Sequence, residues 1–126
     1  MQKTIVKPAH SPKAVGPYNH AIRIGDFLYS AGQIPIDPAT GKLVSTEIRA
    51  QTQQVIQNIK AILDDQKFTF TNVVKTTVFL TNLADFAVMN EVYSQHFTSD
   101  FPARSTIQVA ALPLGASVEI EFVAHA

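Results

Sequence analysis

Arg104 and Glu119 are the two residues of this sequence whose types and settings could do chemistry on a small substrate. Arg104 lies in the segment FPARST (residues 101–106) and is one of three arginines. A guanidinium is planar and permanently charged, and it binds a carboxylate through two parallel hydrogen bonds. Its small neighbours would let a ligand approach. The alternative is a solvated arginine, or one that pairs with Asp100 or a glutamate, which is the usual situation for this residue type.

Glu119 alternates with apolar residues in the segment SVEIEF (residues 117–122). One interpretation is a solvent-facing glutamate, because period-2 alternation is typical of an amphipathic strand with Glu119 and Glu121 on its polar face. The other is a carboxylate that faces a pocket and acts as a general base or holds a water. That role requires a pKa nearer neutrality than a free glutamate has. The alternation by itself does not decide between them.

Tyr18 and Ser30 are weaker candidates. Tyr18 follows a glycine–proline turn, and it could pack as an aromatic lid or offer its hydroxyl to a ligand. Ser30 is either a small strand residue or a pocket residue. No serine–histidine–carboxylate arrangement is recognisable around it, which argues against a hydrolytic triad. No glycine-rich phosphate-binding pattern occurs either.

Composition narrows the function further. The 126 residues suffice for one hydrophobic core, so we expect a single domain spanning 1–126. Ten basic residues balance ten acidic ones without a basic cluster, which makes nucleic acid an unfavoured partner. Cysteine is absent and the four histidines are far apart, so we expect no metal site. With no signal-like or membrane-length apolar run, cytoplasm or an organelle matrix is the expected location.

The elements that must position these residues follow from hydrophobic periodicity. A short strand at 4–6 is followed by a hairpin of 21–24 and 27–31 around Gly25-Asp26. A long helix is predicted from Thr46, capped by Ser45 or Thr46. Its apolar stripe comprises Ile48, Thr52, Val55, Ile56, Ile59, Ile62 and Leu63.

The second half of the chain predicts a strand at 73–80 and then a helix that starts at Asn82 or Asp85. Strands at 105–110 and 118–125 complete one mixed sheet with two helices on one face. The helix stripe comprises Phe86, Met89, Asn90, Tyr93 and Phe97. Strand 73–80 has bulky residues on both faces, with Val74 and Val78 expected on one and Val73 and Phe79 on the other. We therefore expect the sheet's second face to be buried in an oligomer.

The chain as a whole resembles the RidA (YjgF) family of reactive imine and enamine deaminases. The joint order and spacing of its motifs, rather than any one motif, makes the resemblance specific, and it places the chain in the arginine-bearing branch. The motifs are GPY (16–18), SAGQIP (30–35), VKTTVFL (74–80), DFA (85–87), MN (89–90), VY (92–93), FPARS (101–105) and VEIE (118–121).

The resemblance implies a chorismate-mutase-like α+β fold assembled as a homotrimer with clefts between subunits. It implies the hydrolysis of 2-aminoacrylate/2-iminopropanoate and 2-iminobutanoate, which pyridoxal-phosphate-dependent dehydratases release, to 2-oxo acids and ammonia. No cofactor is implied. The alternatives are a protein that senses small carboxylates, or a ribonuclease or translation inhibitor as described for some relatives.

The resemblance also implies roles for individual residues. Arg104 would hold the substrate carboxylate, and Glu119 would hold or activate the attacking water. Tyr18 and Ser30 would line the pocket, and the backbone at Thr106 would add hydrogen bonds. Many relatives have cysteine at that last position, so a thiol-dependent property is not expected here. A folded monomer should be inactive.

Overall fold

One six-stranded mixed sheet forms the frame of the protein in the computed structural model, which describes residues 2–126. The strands lie in the order β1-β2-β3-β6-β4-β5, and β4–β5 is the one parallel pair. Two α-helices complete the fold, so the predicted α+β class is confirmed. The elements are β1 Thr4–Val6, β2 Ala21–Ile24, β3 Phe27–Ser30, α1 Ile48–Asp65, β4 Val73–Leu80, α2 Phe86–Ser94, β5 Ala103–Gln108 and β6 Val118–His125.

The predicted hairpin between β2 and β3 is present. Ile24 pairs with Phe27, which leaves Gly25 and Asp26 as a two-residue turn. Gly25 has φ of 56°, a backbone conformation that glycine adopts without steric cost. The pattern of turn residues was therefore sufficient to set the register of these two strands.

The start of α1 differs from the prediction. The helix begins at Ile48, and its N-cap Glu47 makes no side-chain capping bond. The Ser45 hydroxyl instead accepts from the Glu47 N–H at 3.0 Å, and the Ser45 carbonyl accepts from the Gln51 side chain at 2.8 Å. Ser45 therefore stabilises the turn ahead of the helix, because a nearer backbone donor takes its hydroxyl.

The hydrophobic core lies between the two helices and one face of the sheet. It contains the apolar residues of the α1 stripe, the inward-facing residues of α2 and the even-numbered residues of β6. Ile59, Met89 and Ile120 are each completely buried, and each comes from a different one of these elements. This packing fixes which residues of β6 face the helices, and the odd-numbered ones, including Glu119, consequently point away.

The predicted face assignment of β4 was wrong at its start. A register shift between Val73 and Lys75 against β6 places an extra residue in the strand. As a result Val73 and Val78 are both buried toward the helices, whereas Val74 is exposed. A bulge breaks strict alternation, and a pattern of β-branched residues does not reveal where it falls.

Strand β5 runs over Ala103–Gln108 rather than over the predicted 105–110. Its parallel partner is Lys75–Leu80, and β4 ends there, so the pairing cannot extend further. The Val109 N–H closes the strand by donating to the Leu80 carbonyl at 2.9 Å. Strand β5 is also an edge of the sheet, so Arg104 lies at a rim that another molecule can reach.

The second face of the sheet, which we call the open face, carries no helix. It presents Glu119, Glu121 and Val123 of β6, with Tyr29 and Ile107 on flanking strands. Tyr29 is 44% exposed and Ile107 is 46% exposed. A sheet face with this mixture of apolar and charged residues is typical of a surface that a partner covers.

Candidate active site

Arg104 faces the helix side of the sheet at the rim formed by β5. It stands beside Thr76 of β4, and its guanidinium lies 4.7 Å from the centre of the Tyr93 ring and 5.6 Å from that of Phe86. Both rings belong to α2, so the helix supplies a flat support for the planar cation. Neither of the two ion pairs within residues 2–126 includes Arg104. The alternative prediction, in which Arg104 pairs with Asp100, is therefore wrong.

A cavity of about 410 Å³ opens in front of Arg104, and we call it the arginine pocket. It is lined by Asn90, Tyr93, Ser94, Phe97, Phe101, Pro102 and Arg104. The guanidinium is therefore half-buried, backed by aromatic rings and without a carboxylate of its own chain. A guanidinium placed in this way is free to form the two parallel hydrogen bonds that a ligand carboxylate accepts.

Tyr93 is itself held in place below the arginine. Its hydroxyl shares a 2.8 Å hydrogen bond with the Thr76 hydroxyl, and both residues are buried. Burial raises the pKa of the Tyr93 phenol, against the opposing effects of the Thr76 bond and the Arg104 charge. The ring under the guanidinium is thus a neutral, fixed surface at physiological pH. Thr106 follows Arg104 on the same face, two residues along the strand.

Glu119 lies on the open face, beside Phe79 of β4. Its side chain is half-buried, and burial raises the pKa of the carboxyl, with a smaller contribution from the negative charge of Glu121. No hydrogen bond or cation opposes these two effects. A raised pKa is the direction that a general base needs, because it makes the carboxylate a stronger proton acceptor than a free glutamate.

Ser30 marks the point where β3 separates from β6. Tyr29 pairs with Val123, and Gln33 pairs with Ile120. Between these two pairs, the segment that continues β3 therefore has one residue more than β6. Across this irregularity the Ser30 hydroxyl oxygen accepts from the Phe122 N–H at 2.8 Å. The hydroxyl thereby replaces a missing backbone acceptor, and its own hydrogen stays available for a ligand.

Gly32, within the same irregularity, contacts the Glu119 side chain directly. Gly32 also lines a cavity of about 180 Å³ together with Tyr18, His20 and Leu114. Tyr18 is 42% exposed, and its hydroxyl accepts a long hydrogen bond of 3.4 Å from the Val15 N–H. Tyr18 and Ser30 therefore lie on the side of the molecule that carries Glu119, away from the arginine pocket.

The five predicted site residues thus form two separate groups within one chain. Arg104 and Thr106 face the helices, whereas Glu119 is on the open face with β4 between the two strands. Arg104 pairs with Thr76, and Glu119 pairs with Phe79, three residues further along β4. The backbones of Arg104 and Glu119 are therefore about 10 Å apart across the two strand spacings and about 10 Å apart along the strands. A single small ligand cannot touch both side chains of one subunit.

No group of three or more metal-ligating side chains is assembled anywhere in residues 2–126. Over the same range, neither helix combines the length and the apolar character needed to cross a lipid bilayer.

Comparison with known proteins settles the family. Residues 8–126 match the family model described as Endoribonuclease L-PSP. Human 2-iminobutanoate/2-iminopropanoate deaminase is 45% identical over 122 residues, which are 97% of this chain and 89% of the human protein. The chain belongs to the RidA family.

Solved structures of RidA proteins have the same fold. RidA from an Antarctic Psychrobacter is 41% identical, with a TM-score of 0.94 over 98% of this chain and 99% of that one. E. coli TdcF, solved with bound serine, is 36% identical, with a TM-score of 0.92 over 98% of each chain. The predicted fold and family are therefore confirmed over almost the full length.

Two residues that support the RidA-type site were not predicted as functional. Tyr93 was assigned to the apolar stripe of α2, which is where it lies, but its ring also carries the Arg104 guanidinium. Gly32 appeared only within the SAGQIP motif and was given no role, although it touches Glu119. A helix pattern and a lone glycine contain no signal for either role, because both depend on contacts across the sheet.

Proposed function

We propose that this RidA protein is a 2-iminobutanoate/2-iminopropanoate deaminase of the arginine-bearing branch. The single domain 1–126 would assemble as a homotrimer in which each active site joins the arginine pocket of one subunit to the Glu119 region of the next. The observation that carries the proposal is the unpaired Arg104 guanidinium, held against Tyr93 and Phe86 at the mouth of a 410 Å³ cavity. The human relative carries the name of this activity.

The separation of the two groups supports an intersubunit site. Arg104 and Glu119 lie on opposite faces of one sheet, so they can meet only if the rim of one subunit docks on the open face of another. Such an interface joins two different surfaces, and repetition about a three-fold axis closes it into a ring. The exposed Tyr29 and Ile107 would be covered in this ring.

The chemistry needs few groups. Arg104 would bind the carboxylate of the imino acid and thereby orient its C=N carbon, which substitutes for random collision. Glu119 would take a proton from a water as the water oxygen bonds to that carbon, and it would pass this proton to the imine nitrogen, which receives the electron pair of the C=N π bond. In the resulting carbinolamine, Glu119 would move the hydroxyl proton to the amino group. The C–N bond then breaks with its electron pair leaving on ammonia, and the C=O of the 2-oxo acid forms. Water is the only co-reactant, and no cofactor takes part.

Serine bound to TdcF is consistent with this ligand class, since an amino acid has the same carboxylate next to a nitrogen-bearing carbon. At Thr106 the side chain differs from the cysteine of many relatives, but it lies on the arginine side of the strand. A contact through its backbone does not depend on the side chain, so we expect activity to persist.

Arg104→Ala tests the central assignment. Removing the charge that pairs with the substrate should cost about 2–5 kcal/mol, which lowers turnover by a factor of tens to thousands. Arg104→Lys keeps the charge but loses the planar fork, so we expect an intermediate loss of about tenfold or more. The assay couples a threonine dehydratase to this protein and follows release of ammonia and of the oxo acid.

Arg49→Ala is the matched control, because Arg49 forms an exposed pair with Glu91 at 2.9 Å and neither residue lines the arginine pocket. It should turn over like the wild type. Turnover of Arg104→Ala equal to that of this control would remove Arg104 from the mechanism.

A protein that only senses carboxylates would need Arg104 and not Glu119. Glu119→Gln separates this alternative from the deaminase, since it should abolish turnover while carboxylate binding persists. The name of the matching family model points to RNA as another substrate. The balanced charge of the chain, with ten basic and ten acidic residues and no basic cluster, gives no phosphate-binding surface to support it.

A further inference from the structure

Gly32 occupies the space directly beside the Glu119 carboxyl group. A methyl group placed on its α-carbon would overlap Oε2, and it would lie 2.6 Å from Cδ and 3.0 Å from Cγ. Real Cβ atoms do not approach other heavy atoms so closely, so the carboxyl group could not remain where it is. The absence of a side chain at position 32 is thus what the observed position of the Glu119 side chain requires.

Backbone conformation does not explain the glycine. The positive-φ glycines of residues 2–126 are Gly25, Gly41 and Gly115, and Gly32 is not among them. Alanine can therefore adopt the backbone of position 32 without strain. The segment is also held on its own, since Gln33 and Ile120 exchange two backbone hydrogen bonds of 2.8 and 3.1 Å. What a methyl group would displace is the end of one flexible side chain, and the fold would remain.

The Glu119 carboxyl is also not held by any polar contact that could restore its position. Burial and Glu121 are the influences on its pKa, and neither a hydrogen bond nor a cation contributes. Its location and its partial exclusion from water consequently depend on packing against the Gly32 backbone. If that surface is filled, the side chain must rotate toward solvent.

We infer that Gly32 is a positioning residue, which fixes the place and the desolvation of the Glu119 carboxylate by leaving room for it against the backbone. The inference rests on the proposed function for its consequence in turnover, but its structural part can be measured without any substrate.

Gly32→Ala should therefore give a protein that folds and assembles normally and turns over at least about tenfold more slowly. The loss should fall on kcat more than on KM, because Arg104, which binds the carboxylate, is in the other group of residues. Gly16→Ala is the matched control. Its added methyl group would meet only the Tyr18 ring at 3.7 Å, an ordinary contact, and Gly16 has no positive φ. The control should retain wild-type kcat.

The pH dependence gives a second readout, with a definite sign. In the wild type, burial raises the pKa of the Glu119 carboxyl, and a general base must be deprotonated to act. In the proposed assembled site the Arg104 guanidinium of the neighbouring subunit also faces this carboxyl, so the acid limb of the wild type is the reference for the variant. In Gly32→Ala the carboxyl moves into water and its pKa falls, so the acid limb shifts to lower pH. A variant that was merely less well folded would not move the limb in this direction.

Carbon-13 NMR of labelled glutamate side chains measures the same pKa directly, with Glu119→Gln identifying the signal. The inference is supported if the Glu119 pKa falls in Gly32→Ala and is unchanged in Gly16→Ala. It is overturned if the Glu119 signal titrates as in the wild type, whatever happens to turnover. Failure of the proposed function looks different, since Glu119→Gln would then turn over normally even though the signal moves in Gly32→Ala.

Glu119→Asp provides a rescue. Its carboxyl is one carbon closer to the backbone, so less of the side chain lies against position 32. The double variant Gly32→Ala/Glu119→Asp should lose no more activity than Glu119→Asp alone. Multiplication of the two single losses would mean that the residues act independently, and this would overturn the inference.

Discussion

Arg104 and Glu119 stand on opposite faces of the same sheet, so two inactive variants should restore each other's activity when their subunits mix. The two variants are Arg104→Ala, which keeps Glu119, and Glu119→Gln, which keeps Arg104. If the protein is the proposed trimer, every site of either variant alone lacks one of the two groups. In a mixed trimer, an interface between a subunit with intact Arg104 and a neighbour with intact Glu119 regains both.

The size of the recovery follows from the ring. In the proposed trimer, each site takes Arg104 from one subunit and Glu119 from the neighbour on a fixed side. With equal amounts assembled at random, half of the subunits supply an intact arginine and half of their neighbours an intact glutamate, so roughly a quarter of all sites are complete. Turnover per subunit should therefore rise from near zero to about a quarter of the wild-type value.

The assay refolds the two variants together from denaturant and measures oxo-acid release in the coupled dehydratase reaction, while native mass spectrometry confirms that mixed trimers formed. A second mixture is the internal control. It combines wild type with the double variant Arg104→Ala/Glu119→Gln. In this second mixture, random exchange of subunits should lower turnover from about half to about a quarter of the wild-type value. Turnover thus rises in the first mixture and falls in the second, and both end at about a quarter.

A site contained within one subunit gives the reverse pattern. The first mixture would then stay inactive and the second would stay at about half after full exchange. Observation of that pattern in verified mixed trimers would refute the shared site. A site built from two subunits must gain activity in the first mixture and lose it in the second.

Two further predictions concern the surfaces that flank the site. Ile107→Lys puts a charge on the open face, where the residue is 46% exposed in one subunit. Analytical ultracentrifugation should then find monomers, because assembly would bury the charge. The control Gln57→Lys, on the outer side of α1, should leave trimers intact. Trimeric Ile107→Lys of unchanged stability would mean that this face is not the interface. Tyr93→Phe leaves the buried Thr76 hydroxyl unpaired and should cost about 1–2 kcal/mol in denaturant unfolding at fixed protein concentration. Turnover should stay near wild type because the ring under Arg104 remains, and a large loss of turnover would show that the phenol oxygen itself takes part.

Local patterns were enough to predict the elements of this fold. Helix α1 and the β2–β3 hairpin follow from hydrophobic spacing and a glycine turn, since both are determined by residues close in the sequence. Apart from the start of α1, the errors fell where a partner strand decided the outcome. Strand β5 was displaced by two residues because β4 sets its limits, and the bulge reversed the expected faces of Val73 and Val74.

The candidate site divides in the same way. The sequence by itself determined the residue types, an arginine suited to a carboxylate at 104 and an acid at 119, because charge and hydrogen-bonding geometry belong to the side chain. It also carried the family motifs. Only the tertiary structure decided that Arg104 rests on Tyr93 and that Glu119 packs against Gly32, since these contacts cross between strands and helices far apart in the chain. Sheet pairing likewise decided that the two charged groups point to opposite faces, so a site that uses both groups would have to be shared between subunits.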